Sequence, residues 1–115
     1  MGSLVDKPWG YEHIYPVGKI LFVKKGKRLS LQYHEKKSEV MYVWRGLVEI
    51  TLGETSGRLA AGSEPISIAP GVIHRVEALE DSFIIELSTA ELDDVVRIED
   101  DYGRVKVESG IGNKV

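Results

Sequence analysis

Apolar and polar residues alternate along most of this chain, or apolar residues form short runs that turn residues close. This pattern predicts β-strands at residues 19–24, 28–34, 40–44, 47–52, 65–68, 74–78 and 82–87. The turn at Arg45-Gly46, between two of these runs, predicts a hairpin. Seven or more short strands separated by Gly, Pro and acidic turns indicate an all-β sandwich or barrel.

Helix is expected in one place. Residues 90–96 predict one or two helical turns, with Thr89 as the N-terminal cap. From about residue 105 the chain has little apolar surface to bury, so we expect a flexible C-terminal tail. A chain of 115 residues has room for one core, and we expect a single domain over residues 1–115.

One predicted strand reverses the usual pattern of a half-buried sheet. Within residues 28–34, the side chains of Arg28, Ser30, Gln32 and His34 share one face, and apolar side chains occupy the other. A polar inner face is stable only if it is wet or binds something. This face therefore predicts a binding site inside the barrel.

Four residues have the chemistry and spacing of a metal site. Gln32 and His34 are two apart, Glu39 follows, and His74 comes after a Pro-Gly turn. Two imidazoles, one carboxylate and one amide oxygen can coordinate one divalent transition metal. Zinc is the first expectation, with manganese, iron, cobalt and nickel as alternatives. A metal-free pocket with hydrogen-bonded core histidines is the competing interpretation.

Composition narrows the function classes. The net charge is −3, which gives no electrostatic reason to expect nucleic acid or an anionic membrane as a partner. The chain has no cysteine, which excludes a disulfide framework, a thiolate ligand and a cysteine nucleophile. No apolar run approaches the length of a membrane span, and we expect a cytoplasmic globular protein.

Two motifs resemble those of the cupin superfamily. The first comprises Gly26, Gln32, His34, Glu39 and Gly46, with glutamine in place of the first histidine; the second comprises Gly62, Ala69-Pro70-Gly71 and His74. Within the cupins, the chain is most similar to the C-terminal isomerase domain of type II mannose-6-phosphate isomerases, the half fused to mannose-1-phosphate guanylyltransferase. The blocks that carry this closer similarity are Lys7-Pro-Trp-Gly-Tyr11 and Val96-Arg-Ile-Glu-Asp-Asp-Tyr-Gly-Arg104.

The resemblance covers roughly residues 7–104 and implies a small cupin barrel, a double-stranded β-helix or jelly roll. The chain departs from the family pattern at Val40-Met41, where His-Trp often follows the glutamate, and at Ala78, which replaces an asparagine. The proline before His74 is also shifted by one place. No presumed ligand is lost, but the changes beside Glu39 alter the pocket wall and leave the sugar specificity open.

The resemblance implies a metal-dependent aldose–ketose isomerase that interconverts mannose 6-phosphate and fructose 6-phosphate. Glu86 is the expected catalytic base, because a carboxylate among apolar neighbours has a raised pKa; an outward surface position is the alternative. Arg104 is expected to hold the phosphate or the developing enediolate charge, with Arg97 as the alternate. Arg28, on the face of Gln32, is a further candidate for the phosphate.

Two other functions remain open at the level of sequence. A non-catalytic module that binds a sugar phosphate or sugar nucleotide would use the same barrel and basic residues. Two imidazoles and a carboxylate also suit a metal-dependent dioxygenase. In each case we expect a homodimer, because the segment around Trp9-Gly10-Tyr11 has more aromatic surface than so small a core can bury alone. We expect the N-terminal strand to pack across the partner.

Overall fold

Two antiparallel sheets enclose the core in the computed structural model, which describes residues 2–89 and 94–105. The larger, sheet A, contains β1 (Ser3–Lys7), β2 (Gly10–Tyr15), β3 (Gly18–Val23), β5 (Glu39–Arg45), β8 (Ile66–Ile68) and β10 (Ser82–Ser88). Sheet B contains β4 (Leu31–Tyr33), β6 (Leu47–Leu52), β7 (Thr55–Ala60), β9 (His74–Ala78) and β11 (Val96–Glu99). The strand order is β1-β2-β3-β10-β5-β8 in sheet A and β11-β4-β9-β6-β7 in sheet B.

The core lies between the sheets because every second residue of the central strands points inward. Leu21 and Val23 on β3 and Ile84 on β10 are buried from sheet A, and Val48 and Val76 are buried from sheet B. Towards one end of the barrel the inward residues become polar, and Ser30, His34, Glu39, His74 and Glu86 are buried there. The apolar end supports the fold, and the polar end forms the candidate site.

The predicted hairpin at Arg45-Gly46 is wrong. Strands β5 and β6 lie in different sheets, so the turn carries the chain from sheet A to sheet B. Gly46 has φ +99°, and a β-carbon there would lie 2.3 Å from the Ser82 hydroxyl oxygen. The Ser82 hydroxyl is also 3.1 Å from the Leu47 amide nitrogen. This tight corner has the local sequence of a hairpin turn but not its pairing.

The predicted helix at residues 90–96 is only partly covered, because residues 90–93 lie outside the described residues. Its predicted end is wrong, since Val96 begins strand β11 and is paired with Tyr33. Most of the predicted C-terminal tail, from residue 106 onward, also lies outside them. No helix in the described part of the chain is long and apolar enough to cross a membrane.

The N-terminal segment adds a hairpin to its own chain. Strands β1 and β2 pair with each other, and β2 pairs with β3. Trp9 is buried in the core of the single chain, with 2% of its surface exposed. Its strands extend sheet A of the same chain, and packing of the N-terminal strand across a partner is not tested. The homodimer stays a prediction.

Candidate metal centre and adjoining cavity

Three buried side chains from different parts of the chain meet at the polar end of the barrel. His34 follows β4, Glu39 begins β5 and His74 begins β9. The Glu39 Oε1 atom lies 3.3 Å from His34 Nε2 and 3.5 Å from His74 Nε2. One ligand atom from each residue falls within 4.8 Å of the others, which is the spacing of a group that could hold a metal ion.

The hydrogen bonds of the imidazoles assign their protons. His34 Nδ1 lies 2.5 Å from the carbonyl oxygen of Asp94, and His74 Nδ1 lies 2.9 Å from that of Val72. A carbonyl oxygen only accepts, so each Nδ1 must carry a proton. In the neutral imidazole, Nε2 then presents its lone pair towards Glu39. Backbone carbonyls are common outer partners of metal-ligating histidines.

The surroundings of Glu39 suit a cation. Both Nε2 atoms and both Glu39 carboxylate oxygens are buried and have no hydrogen-bond partner within the described residues. Burial disfavours the carboxylate, but donation from the imidazoles of His34 and His74, when Nε2 carries a proton, and the Lys37 ammonium, 3.5 Å from Oε2, outweigh it and lower the pKa of Glu39. When both imidazoles are neutral with the proton on Nδ1, ionised Glu39 and two Nε2 lone pairs repel one another unless a positive charge lies between them. The residues therefore fit a divalent ion.

The loop between His34 and Glu39 is held by Asp94. Its carboxylate accepts hydrogen bonds from the backbone amides of Glu35, Lys36 and Lys37, at 2.7 to 3.0 Å. These bonds to the charged form lower the pKa of Asp94. Because the carbonyl of the same residue fixes the His34 ring, Asp94 positions both the loop and one candidate ligand.

Gln32 stands beside the three residues. It is opposite His74 in the β4–β9 pair and opposite Arg97 in the β4–β11 pair, so the three side chains share one face of sheet B. The Ser30 hydroxyl donates to Gln32 Oε1 at 2.5 Å. An amide oxygen has a second lone pair for another partner. Its role as a fourth ligand stays a prediction.

A cavity of about 280 Å³ opens next to this group. Its wall is polar on both sides of the barrel and includes Glu12, Lys19, Gln32, His34, Lys37, Glu86, Arg97 and Arg104. The cavity has room for a small polar molecule. It brings together most of the candidate residues that the sequence singled out.

Glu86 points into this cavity from β10. Its side chain is buried, and alternation along the strand puts it on the face of Ile84. Burial, with the negative charge of Glu39 as the next cause, raises the pKa of Glu86 to about 7. The inward position expected from the sequence is confirmed. A carboxyl group that gains and loses its proton near neutrality suits a general base.

The three candidate arginines are in different situations. Arg97 lines the cavity, and its buried Nε has no hydrogen-bond partner among the described residues. Arg104 also lines the cavity, but its Nε and Nη2 donate to Asp100 at 2.8 and 2.9 Å. Arg28 is paired with Asp101 and does not line the cavity. The structure therefore brings Arg97 and Arg104, but not Arg28, to the site.

The sequence patterns did not single out four charged residues that line the cavity: Lys7, Glu12, Lys19 and Lys37. Glu12 lies 3.5 Å from the Lys19 ammonium and 3.9 Å from that of Lys7. Lys19 carried a usable signal, since it alternates with Leu21 and Val23 on the buried face of β3. Lys37 is in a loop, and a loop has no periodicity from which the direction of a side chain can be predicted.

A two-sheet barrel whose polar end holds two imidazoles and a carboxylate defines the chain as a cupin. The solved structures support this fold. KdgF from Halomonas sp. superposes with a TM-score of 0.71 at 24% identity, covering 79% of this chain and 90% of that one. CapF from Staphylococcus aureus gives a TM-score of 0.72 at 18% identity, covering 86% and 32%.

The family described as "Mannose-6-phosphate isomerase C-terminal" matches residues 2–100, and the chain belongs to it. Mannose-1-phosphate guanylyltransferase ManC of Salmonella typhimurium is 38% identical over 88% of this chain and 23% of its own length. Xanthan biosynthesis protein XanB of Xanthomonas campestris pv. campestris is 35% identical over 87% and 23%. The chain thus spans less than a quarter of the length of these relatives.

Proposed function

We propose that this domain is a metal-dependent aldose–ketose isomerase that interconverts mannose 6-phosphate and fructose 6-phosphate. The observation that carries the proposal is Glu86, a buried carboxyl group with a pKa raised to about 7. It lines the same cavity as the candidate ligand His34 and the cation Arg97. Family membership supports the choice of substrate.

His34, Glu39 and His74 would hold the ion, with Gln32 as the predicted fourth ligand. A bound divalent ion supplies a Lewis acid that polarises sugar oxygens. The protein's own role is to hold the ligand side chains in the tautomer and orientation that coordination needs. The Asp94 carbonyl fixes the tautomer of His34, and the Val72 carbonyl fixes that of His74.

Glu86 would move the proton. Its carboxylate takes the hydrogen from C2 of the open-chain aldose as a proton, the C–H electron pair becomes the second bond between C1 and C2, and the π pair of the C1 carbonyl moves onto O1. The proton of the C2 hydroxyl then passes to O1, the same carboxyl group returns a proton to C1, and the electron pair left on O2 forms the new carbonyl at C2. A base whose pKa lies near the working pH performs both steps well.

Arg97 would bind the phosphate. It lies one strand away from Gln32 on the same face of sheet B, and its buried Nε has no hydrogen-bond partner within the described residues. A guanidinium group forms paired hydrogen bonds with phosphate oxygens. Arg104 is held by Asp100 and would add its charge from the cavity wall.

A coupled assay of the metal-loaded chain with mannose 6-phosphate tests the proposal. We expect turnover that Glu86→Gln lowers about 10²–10⁴-fold in kcat with KM nearly unchanged. Arg97→Ala should mainly raise KM, because a phosphate contact is equally strong in ground and transition states. Arg28→Ala is the matched control, since that arginine does not line the cavity, and its kinetics should equal those of wild type.

A binding module for a sugar phosphate or sugar nucleotide is the second candidate. Two of the relatives are named as mannose-1-phosphate guanylyltransferases, and the chain matches 23% and 22% of their length. The same cavity and cations would serve binding alone. Metal-loaded protein that binds mannose 6-phosphate, shown by calorimetry, yet produces no fructose 6-phosphate would favour this function over the isomerase.

A further inference from the structure

An ion pair in the wall of the cavity has no part in the isomerisation described above. Glu12 on β2 and Lys19 on β3 both line the cavity, and Glu12 Oε1 lies 3.5 Å from Lys19 Nζ. Both side chains are largely buried, with 8% and 14% of their surfaces exposed. A carboxylate and an ammonium group in contact beside a cavity can accept one proton from a bound molecule and give it another.

The pair lies beside the proposed base. Lys19 is directly opposite Glu86 in the β3–β10 pair, and directly opposite residues have β-carbons about 5 Å apart. Glu12 is opposite Leu21, the next inward residue of β3. Glu12, Lys19 and Glu86 therefore share the inner face of sheet A, and a sugar bound against Glu86 would lie beside the pair.

The proposed substrate must lose its ring before it can isomerise. A hexose 6-phosphate closes on itself, because its C5 hydroxyl adds to the C1 aldehyde and forms a cyclic hemiacetal. Glu86 can remove the hydrogen at C2 only from the open chain, where the carbonyl at C1 makes that hydrogen acidic. To open the ring, O1 must lose a proton and the ring oxygen O5 must gain one. Both oxygens are bonded to C1, so the base and the acid must stand side by side.

We propose that Glu12 and Lys19 open the sugar ring, an inference that rests on the proposed isomerase. The Glu12 carboxylate takes the proton of the O1 hydroxyl, and the O–H electron pair becomes the second bond of the C1 carbonyl. The C1–O5 bond breaks, and its electron pair takes a proton from the Lys19 ammonium to give the C5 hydroxyl. A proton then passes from the Glu12 carboxyl group to the Lys19 amine across their contact, which restores the pair.

The reverse steps give the domain a second activity, the interconversion of anomers. Once the open chain has turned about its C1–C2 bond, O5 can add to either face of the C1 aldehyde, so both anomers are formed. This exchange does not need the hydrogen at C2 to move. Anomer exchange and isomerisation therefore have separate signals in one sample.

Exchange spectroscopy by NMR on the two anomeric protons of mannose 6-phosphate tests this activity. With the zinc-loaded wild-type chain, we expect the exchange rate to rise in proportion to protein concentration above the rate in protein-free buffer. Glu12→Gln and Lys19→Met should each lower the protein-dependent rate by about 10²-fold or more. The double variant should be no slower than either single variant, because one step needs both groups. It also leaves neither group of the pair buried without its partner, so it decides the result where a single variant is unstable.

Controls separate ring opening from folding, from binding and from isomerisation. Glu49→Gln is the matched control, since Glu49 is opposite a basic residue, Arg58, in the β6–β7 pair and does not line the cavity; its exchange rate should equal that of wild type. Circular dichroism and calorimetry with mannose 6-phosphate should show that the double variant folds and binds the sugar. Loss of exchange together with loss of binding would assign the pair to binding and overturn the proposal.

Two further outcomes distinguish this proposal from the isomerase. A wild-type chain that forms fructose 6-phosphate without accelerating anomer exchange, or acceleration that survives in both single variants, overturns ring opening and leaves the isomerase in place. Accelerated exchange that depends on Glu12 and Lys19, without fructose 6-phosphate, supports ring opening and contradicts the isomerase alone.

Discussion

At the scale of residues, the site brings three buried acceptor groups face to face. His34 and His74 each use Nδ1 to donate to a backbone carbonyl, which leaves both Nε2 atoms facing the Glu39 carboxylate. Buried acceptors without donors are costly. A divalent cation would convert three mutually repelling acceptors into three ligands, and it would link the stability of the fold to metal content.

We predict that His34→Ala and His74→Ala abolish retention of a divalent ion, measured by elemental analysis after dialysis against zinc. Each variant should also lose the rise in melting temperature that zinc gives the wild type. His13→Ala is the matched control, because His13 is on the outer face of sheet A. Zinc retention equal in all three variants would contradict the assigned ligands.

The same site should release its ion in acid. An imidazole ligates only when neutral, so metal affinity is expected to fall as the pH drops from about 8 to about 5. A zinc titration by calorimetry at several pH values measures this. Affinity independent of pH across that range would indicate a site without histidine ligands.

Glu86 makes the stability of the fold depend on pH as well. The sign of this dependence is opposite to that of an acid held in a salt bridge. Its pKa is raised from the ordinary 4.5 to about 7 in the folded protein. The folded state therefore keeps a proton that the unfolded state has lost. The stability contributed by protonated Glu86 is complete below 4.5 and is lost as the pH rises to about 7.

We therefore predict that Glu86→Gln gains stability relative to wild type as the pH rises, by roughly 3 kcal/mol between the two pKa values. Urea unfolding of the metal-free proteins at pH 5 and pH 8 measures the difference. Glu77→Gln, which changes a half-buried carboxylate of β9, is the control. The change in its free energy of unfolding between the two pH values should equal that of wild type. Parallel pH profiles for wild type and Glu86→Gln would contradict the assigned burial.

The candidate ligands were predictable from sequence because their chemistry is local. The spacing of Gln32, His34 and Glu39 and the turn before His74 identify donor atoms directly. Arg28 shows the limit of such reasoning. Alternation puts it on the face of Gln32, but regular pairing in β4 begins only at Leu31, and Asp101 holds its guanidinium elsewhere. A partner 73 positions away cannot be inferred from periodicity.

At the scale of elements, the corner at Gly46 is one of the places where the chain passes from sheet A to sheet B. A β-carbon at Gly46 would be blocked by Ser82 and by the Asp81 carbonyl, at 2.3 and 2.5 Å. The flanking strands look like a hairpin in sequence, since apolar alternation and an Arg-Gly turn occur in both arrangements. Which strand pairs with which depends on β9 and β10, far away in the chain.

We predict that Gly46→Ala destabilises the fold by roughly 3 kcal/mol or more, from the strained φ together with the steric clash. Gly26→Ala is the matched control. Gly26 has a similar φ of +83°, but nothing lies within 4 Å of its β-carbon position, so only about 1–2 kcal/mol should be lost. Thermal unfolding compares the two. Equal losses would show that the corner tolerates a side chain.

Strands with a clear apolar face were predicted well, and strands without one were missed. Residues 74–78 match β9 at both ends, and residues 82–87 differ from β10 by one residue. Strands β1 and β7 were not predicted, because both are almost entirely exposed. Strands β2 and β11 were not predicted either, because neither has a clear apolar face. Their pairing comes from backbone hydrogen bonds to a neighbouring strand, which leaves no hydrophobic period in the sequence.

At the scale of the whole molecule, the two ends of the barrel have different roles. The apolar end holds the sheets together, and the polar end holds the candidate ligands, Glu86 and the cavity cations. Barrel closure brings residues from β2, β3, β10 and β11 to one cavity, although they are far apart in sequence. The proposed isomerase uses Glu86 from β10 and Arg97 from β11.

The most direct test of that function is solvent exchange during turnover. The zinc-loaded chain is incubated with mannose 6-phosphate in deuterium oxide, and the sugars are followed by proton NMR. We predict fructose 6-phosphate with deuterium at C1, because the proton on Glu86 exchanges with solvent before it is returned. Mannose 6-phosphate that binds but shows neither isomerisation nor deuterium at C2 would contradict the account.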